Sequence, residues 1–157
     1  MVVWNTIKDF FGNYILISAV LGWFIAQFLK IFTGFAETKK FHVKHMFANG
    51  GMPSSHSATV MALCIACAIQ EGVASPYFAI TAVLAIIVMN DASGVRYETG
   101  EQAKIINRIT RELFSGKSEE VNTGLKELVG HTPFQVLMGA MLGVCVAVIY
   151  GLILGVQ

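Results

Sequence analysis

Charged residues are scarce in this 157-residue sequence, where Asp, Glu, Lys and Arg together make up 13%. Soluble domains carry roughly 25% charged residues, whereas 55% of this chain is hydrophobic and its mean hydropathy is +0.63. The formal net charge of +1 excludes the broad basic surface of a nucleic-acid-binding protein. The scarcity of charged residues and the small net charge predict a protein that is embedded in a membrane bilayer and does not bind nucleic acid.

Cysteine and proline are also rare, with three residues of each. Cys64, Cys67 and Cys145 lie inside apolar runs, and an odd number in such positions predicts core thiols rather than a disulfide framework. The few prolines and the lack of a low-complexity tract exclude a disordered chain. Lys8 and Asp9 stand where a signal peptide would have a basic stretch before a short apolar run, so we expect no removable signal peptide.

Four apolar stretches remain when the chain is divided at its charged residues. They cover residues 13–35, 54–70, 76–90 and 133–156. The outer two are long enough to cross a hydrocarbon layer of ~30 Å, whereas the middle two are short and must pack inside a bundle. Gly139, Gly143 and Gly151 allow the last helix to approach its neighbours closely and are compatible with a homo-oligomer, the oligomeric state being left open by the sequence. The predicted fold is a single all-α membrane domain over residues 1–157, with about four transmembrane helices.

The charged residues concentrate in two loops, about 36–53 and 91–132, which four crossings place on one side of the membrane. All Lys and Arg residues except Lys8 lie in or beside these loops, so the positive-inside rule predicts a multi-pass protein of the cell membrane with cytoplasmic loops. One helical face of the second loop carries four aliphatic residues, Ile105, Ile106, Ile109 and Leu113. We expect an amphipathic surface helix there, over about residues 98–129.

The same topology brings unusual polar residues from four distant segments into one layer. They are Lys30 at the end of the first stretch, Ser54, Ser55 and His56 at the start of the second, Asn90 and Asp91 at the end of the third, and His131 before the fourth. Backbone N–H groups at a helix start attract phosphate, so the layer is interpreted as a phosphate site. The alternatives are a plain helix cap for Ser54 and Ser55 and a structural role for the histidines.

Two histidines at neighbouring helix starts suit phosphoryl transfer, because one imidazole can attack phosphorus while the other protonates the leaving oxygen. His56 and His131 are the candidate pair. Lys30, Arg96 and Lys126 are candidate cations that would neutralise the phosphate oxygens, and the alternative for each is a contact with lipid headgroups. Neither a metal nor another cofactor is predicted, since no recognisable metal-ligand spacing or nucleotide-binding glycine motif is present.

The segment just before the last stretch also has a simple structural explanation. Thr132 caps a helix, Pro133 occupies its first position, and Gln135 completes a capping box with Thr132. This explanation leaves out His131, which precedes the cap and can face the same layer as His56.

At these residues the chain resembles the type 2 phosphatidic acid phosphatase superfamily, and in particular its small divergent branch related to acid phosphatases and vanadium haloperoxidases. The superfamily signature Pro-Ser-Gly-His is matched by Pro53–His56, and His-x-Pro-x-Asp-Val-x-x-Gly by His131–Gly139. Three motifs typical of the branch, Gly-Gly-Met-Pro-Ser-Ser-His, Asp-x-Ser-Gly-Val-Arg and Gly-His-Thr-Pro, stand at Gly50–His56, Asp91–Arg96 and Gly130–Pro133. The match extends from Gln27 to Gly143.

The resemblance implies a role for each matched residue. His131 would be the nucleophile that forms a phosphohistidine, and His56 would be the general acid. Ser54 and Ser55 would donate hydrogen bonds to phosphate, and Lys30 would supply the cation of the first signature.

The chain departs from the superfamily pattern at the residues that would support the nucleophile and the phosphate. Gln135, a substrate-binding candidate, stands where the superfamily has an Asp that holds the nucleophilic imidazole; its carbonyl can accept the ring N–H but adds no negative charge. Asp91 is the nearby carboxylate nominated as a substitute. Two signature arginines are absent from their expected positions, and Arg96 and Lys126 are their expected replacements.

The predicted function is that of a metal-independent membrane phosphatase that hydrolyses a lipid phosphomonoester or diphosphate. The first alternative is a phosphate-lipid-binding protein or scaffold without turnover, which Gln135 and the missing arginines favour. The second is a structural membrane subunit whose loop helix docks a soluble partner.

Overall fold

The computed structural model describes residues 2–38, 51–114, 125 and 130–156. These residues form no strand and six helices, α1 (Val2–Gly12), α2 (Tyr14–Thr38), α3 (Ser55–Glu71), α4 (Pro76–Ser93), α5 (Val95–Phe114) and α6 (Pro133–Leu154). The described chain is therefore an all-α membrane bundle, which confirms the fold class expected from the sequence.

The central helix of the bundle is α3, which packs against α2, α4 and α6. Its alanines Ala58, Ala62 and Ala66 have no exposed surface. A Cβ atom at Gly139 would collide with the carbonyl oxygen of Ser54, and one at Gly143 would collide with that of Ala58. The close approach expected from the glycines of the last helix is thus confirmed, and it fixes α6 against the start of α3.

Tyr14 fastens α2 to α6 at the end of the bundle away from the start of α3. Its side chain is 3% exposed, and its hydroxyl donates a hydrogen bond of 2.7 Å to the carbonyl oxygen of Ala147. The ring stacks on that of Tyr150 with the centroids 5.7 Å apart. Together with Ala62 and Ala66 these residues form a buried apolar cluster that joins α2, α3 and α6.

The attachment of α4 is much looser. Val60 and Cys64 of α3 pack against Ala85, and within α4 itself only Ala85 and Ala92 are buried. Several large aliphatic side chains of α4 are more than half exposed, namely Ile80, Val83, Ile86 and Ile87. This helix therefore presents a wide apolar surface of the kind that lipid hydrocarbon solvates.

Three segments of the described chain are long and apolar enough to cross a membrane. They are Tyr14–Gly34, Pro76–Leu113, which runs from α4 into α5, and Pro133–Leu154. The helix α3, at the position of the second apolar stretch, has 17 residues and a length of about 26 Å. It falls short of the ~30 Å hydrocarbon layer and lies among three other helices. The fourth crossing and the sides on which the loops lie stay predictions.

Two helices extend beyond the apolar stretches. The N-terminal helix α1 was not expected from the sequence. It ends next to Asn13, whose Oδ1 accepts a hydrogen bond from the Leu16 N–H at 3.0 Å and so caps α2.

The helix α5 begins at Val95, earlier than expected. Beyond Phe114, residues 115–124 and 126–129 of the expected surface helix lie outside the described residues. The four aliphatic residues of its apolar face are all exposed, and its place at the membrane surface stays a prediction.

The three cysteines are free thiols, but they are not all in the core. Cys64 and Cys67 are buried in α3, as expected, whereas Cys145 is exposed on α6. The interpretation of Cys145 as a core thiol was wrong because it lies two residues from both Gly143 and Ala147, which face the bundle. A two-residue step on a helix turns a side chain to the opposite side.

Candidate functional site

The start of α3 is built by three serines. Ser54 is the N-cap, and its Oγ accepts hydrogen bonds from the N–H of Ser57 at 3.4 Å and from the Ser57 hydroxyl at 3.0 Å. Ser54, Ser55 and Ser57 are all buried. The cap expected as the alternative for Ser54 is therefore present. It still leaves the first N–H groups of α3 directed out of the helix start, where they can bind an anion.

The start of α6 is a reciprocal capping box. The Thr132 hydroxyl accepts a hydrogen bond from the Gln135 N–H at 3.3 Å, and the Gln135 Oε1 accepts one from the Thr132 N–H at 3.1 Å. The predicted capping box, with Pro133 in the first turn, is confirmed. The capping box engages the side-chain Oε1 of Gln135, and neither ring nitrogen of His131 bonds to this oxygen.

These two helix starts lie side by side. The Ser54 N–H donates to the Gln135 carbonyl oxygen at 3.1 Å, which joins the cap of α3 to the first turn of α6. The rings of His56 and His131 meet at an angle of 72° with their centroids 5.8 Å apart. Two residues 75 positions apart in the chain thus share one site, at the positive ends of two helix dipoles.

His131 is the more enclosed of the two histidines. Its side chain is 1% exposed, whereas His56 is exposed. The backbone N–H of His131 donates to the carbonyl oxygen of Ala92 at 3.0 Å, so the end of α4 holds the backbone of His131. Neither ring nitrogen has a hydrogen-bond partner among the described residues.

The electrostatic environment of His131 disfavours a second ring proton. Burial is the main cause, followed by the positive charge of Lys30 and by contributions from His56 and Arg96; together they lower the pKa of His131 to about 4. The imidazole is therefore neutral at neutral pH and keeps one nitrogen lone pair, which is the form required of a nucleophile.

Lys30 brings a positive charge to the site from α2. Its side chain is 3% exposed, and its Nζ donates to the hydroxyl of Ser55 at 3.3 Å. One turn further along, the hydroxyl of Thr33 donates to the carbonyl oxygen of Met52 at 2.6 Å. These two contacts hold the end of α2 against the segment that leads into α3.

Asp91 and Arg96 lie at the junction between α4 and α5 and form an ion pair of 2.6 Å. Their side chains are 40% and 46% exposed. The contact between Asp91 and His131 expected from the resemblance is not present in the structure, where the Asp91 carboxylate binds Arg96 and the ring nitrogens of His131 have no partner among the described residues. Asp91 and Arg96 are five residues apart across this junction, so the carboxylate reaches the guanidinium without any long-range packing.

The structure brings seven of the nine predicted site residues to one end of the bundle. They are Lys30, Ser54, Ser55, His56, Asp91, Arg96 and His131. Gln135 lies at the edge of this site in its capping box. Lys126 lies outside the described residues.

Two features of this end were not expected from the sequence. A cavity of about 190 Å³ is bounded on one side by Tyr97, Glu101 and Lys104 of α5 and on the other by Thr132 and Gln135. Gln27 of α2 is buried, and its Oε1 has no hydrogen-bond partner among the described residues. The one sequence signal for Gln27 is its position three residues before Lys30, which places both side chains on one helical face.

Comparison with known proteins identifies the family. A model of the Divergent PAP2 family matches residues 11–146. The chain is 35% identical over 147 residues to a Bacillus subtilis (strain 168) protein described as uncharacterized membrane protein YuiD, and the alignment covers 87% of this chain and 93% of that protein. No solved structure matches. These findings confirm the resemblance drawn from the histidine-containing motifs: the chain belongs to the Divergent PAP2 family.

Proposed function

We propose that this protein is a membrane phosphatase that hydrolyses a phosphomonoester or diphosphate lipid through a phosphohistidine intermediate. The single observation that carries the proposal is the pairing of His56 with His131 at a ring separation of 5.8 Å. The enclosed ring of His131, its low pKa and the nearby Lys30 support it. Membership of the Divergent PAP2 family agrees with a phosphatase-related role.

In the proposed first step, the free ring nitrogen of neutral His131 attacks phosphorus. Burial and the charges of Arg96 and Lys30 lower the pKa of His56, and in this proposal the negative charge of the bound phosphate offsets them so that His56 carries a proton. The N–P bond forms as the bond between phosphorus and the leaving oxygen breaks, and His56 transfers its proton to that oxygen. In the second step a water molecule attacks phosphorus, the N–P bond breaks, and His56 accepts a proton from the water. Phosphate leaves, and both histidines return to their starting forms.

The negative charge of the phosphate is balanced by the protein in this proposal. Lys30 and the N–H groups at the start of α3 face the non-bridging oxygens, and the hydroxyls of Ser54 and Ser55 donate to them. Arg96 adds positive charge at the rim, and Lys126, which lies outside the described residues, is a further candidate cation on the sequence alone. Asp91 acts as a positioning residue because its carboxylate fixes the guanidinium of Arg96.

The place of the site in the bundle supports a lipid as the substrate. Lys30, at the site, lies within the apolar segment Tyr14–Gly34, and the helix Pro133–Leu154 begins beside it. A phosphate held there would have its acyl or prenyl chain alongside these helices. We place this end at the cytoplasmic headgroup layer of the cell membrane, in accordance with the distribution of Lys and Arg.

The test is phosphate release by the purified full chain in detergent. Phosphatidate, phosphatidylglycerophosphate and prenyl diphosphates would be supplied to the wild type and to the variants His131→Ala and His56→Ala. Cys145→Ala, which alters an exposed side chain of α6, serves as the matched control. We expect release by the wild type and the control, and a loss of about 100-fold or more in both histidine variants. Equal release by all four proteins would contradict the proposal.

A second candidate is a phosphate-lipid-binding protein without turnover. The observation that favours it is the engagement of Gln135 in the capping box, since this residue stands where the superfamily has the Asp that supports the nucleophile. Binding of vanadate or of a lipid phosphate, without phosphate release from any substrate of the panel, would select this candidate over the enzyme.

A further inference from the structure

Gln27 is a buried polar residue that the proposed reaction does not use. It lies in the middle of α2 and is 8% exposed, and its Oε1 has no hydrogen-bond partner among the described residues. A buried amide oxygen without a partner destabilises a fold. A buried polar group without a partner therefore needs an explanation, and the binding of a ligand is one such explanation.

Contacts along α2 and α3 place Gln27 at the level of the first turn of α3. Gly22 packs against Ala58, and Lys30 reaches Ser55. The two helices are therefore antiparallel, and Gln27, which lies between Gly22 and Lys30, falls between the levels of Ala58 and Ser55.

The contact of α2 with α6 gives the same level independently. Tyr14 bonds to the carbonyl oxygen of Ala147, and α6 also runs antiparallel to α2. Gln27 lies 13 residues after Tyr14, and Phe134 lies 13 residues before Ala147, so Gln27 and Phe134 are at the same level of the bundle. Gln27 is thus level with the first turns of both α3 and α6, which carry or adjoin the two histidines.

The direction of the Gln27 side chain follows from Lys30. Residues three apart on a helix share a face, and the Nζ of Lys30 points to Ser55 in the site. Gln27 therefore projects from the same face of α2 as Lys30, about one helical turn nearer the middle of the bundle.

We propose that Gln27 is a further ligand-binding residue, whose carboxamide forms a hydrogen bond with the phosphate group held beside Lys30. This inference rests on the proposed function and extends it. The Oε1 can accept from a protonated phosphate oxygen; after a 180° rotation of the amide, the Nε2 can donate to an unprotonated one. Because the amide is neutral, it adds a directional contact without changing the charge that Lys30 supplies.

The test measures binding of vanadate and inorganic phosphate by the full chain in detergent, with titration calorimetry. Gln27→Met keeps the length of the side chain and removes the amide. We expect this variant to bind both anions about 10-fold more weakly, since hydrogen bonds to charged groups are among the stronger ones. Its melting temperature without anion should equal or exceed that of the wild type, because the unpartnered amide is gone.

The matched control is Ser18→Ala. Ser18 is a fully buried polar residue of the same helix and lies about 13 Å from Gln27 along the helix axis, away from the site. We expect its anion affinity to stay within twofold of that of the wild type. If Gln27→Met does not elute as a folded protein, Gln27→Leu replaces it with a smaller apolar side chain.

The outcomes separate this inference from the proposed function. Anion binding by the wild type with equal affinity in the folded Gln27 variant would overturn the role of Gln27 and leave the phosphatase proposal standing. A wild type that binds neither anion and hydrolyses no substrate would overturn both. Weaker binding in both Gln27→Met and Ser18→Ala would assign the effect to helix packing and so would also contradict the inference.

Discussion

The bundle consists of a tightly packed part and a loosely attached part, and the candidate site draws residues from both. In the first part, α2, α3 and α6 meet through glycine and alanine, with backbone against backbone. In the second part, α4 buries only two of its residues and continues into α5, whose aliphatic face is exposed. The histidine pair and Lys30 belong to the tight part, whereas Asp91 and Arg96 belong to the loose part.

This difference indicates a division of roles. The helix starts that carry or adjoin His56 and His131 are held together by the close approach of Gly139 to the backbone of Ser54, which fixes the spacing of the two rings. The ion pair of Asp91 and Arg96 is exposed to solvent, and its geometry is held by one hydrogen bond. We therefore expect substitutions in the tight part to have larger effects than substitutions in the loose part.

The largest difference in stability is expected from Gly139→Val compared with Ala79→Leu. The new side chain at Gly139 meets the carbonyl oxygen of Ser54, so we expect a loss of about 3 kcal/mol or complete misfolding. Ala79 is exposed on α4, and its substitution should change the stability by less than about 0.5 kcal/mol. Thermal unfolding in detergent measures both, and equal melting temperatures would contradict the distinction between the two parts.

The next comparison concerns the two cations. Lys30→Met removes a buried charge beside Ser55, and we expect it to lower the rate of phosphate release about 100-fold. Arg96→Gln removes a charge that is 46% exposed and screened by solvent, so a loss of about 10-fold or less is expected. A larger loss for Arg96→Gln than for Lys30→Met would reverse the proposed assignment.

The pH dependence of stability should reveal the buried imidazole. The pKa of His131 is about 4 in the folded chain, against 6.5 for an unperturbed histidine. Between these values the unfolded chain binds a proton that the folded chain does not, so the contribution of this residue to stability is full above pH 6.5 and is lost as the pH falls towards 4. Melting temperatures measured from pH 8 to pH 4 should fall more steeply for the wild type than for His131→Asn. Parallel curves would show that His131 is not buried as described.

The smallest expected effect is that of Tyr14→Phe. The change removes the hydrogen bond to the Ala147 carbonyl and leaves the ring stacked on Tyr150. We expect a loss of about 1 kcal/mol in the stability of the bundle, with unchanged affinity for vanadate, because Tyr14 lies at the far end of α2. A stability loss together with a change in vanadate affinity would show that the two ends of the bundle are coupled.

Local patterns in the sequence predicted the parts of the site that depend on neighbouring residues. Thr132, Pro133 and Gln135 indicate a helix start within four residues, and the structure has the full capping box there. Gly139 and Gly143 lie one turn apart on a single face and were expected to allow close helix packing; in the structure they face the backbone of α3. The helix α1 was missed because its residues show no long apolar run of the kind used to divide the chain.

Side chains whose partners depend on competition in three dimensions were harder to predict from the sequence. Asp91 was nominated as the partner of the nucleophile, but Arg96 is nearer and binds it. The side-chain carbonyl of Gln135 was expected to be available to the ring N–H of His131, but its Oε1 accepts a hydrogen bond from the Thr132 N–H. Gln27 carries no local pattern that distinguishes it from a polar residue at the edge of an apolar helix, and only its burial draws attention to it.

Composition and hydrophobic periodicity by themselves determined that this chain is an all-α membrane bundle, because the scarcity of charge and the long apolar runs leave a bilayer as its solvent. The motifs determined which residues are candidates for phosphate chemistry. Only the tertiary structure decided that His56 and His131 share one site, and which polar groups are already bonded to other partners. Distances between segments far apart in the chain depend on how closely helices pack, and that depends on contacts between side chains and backbone that no single segment contains.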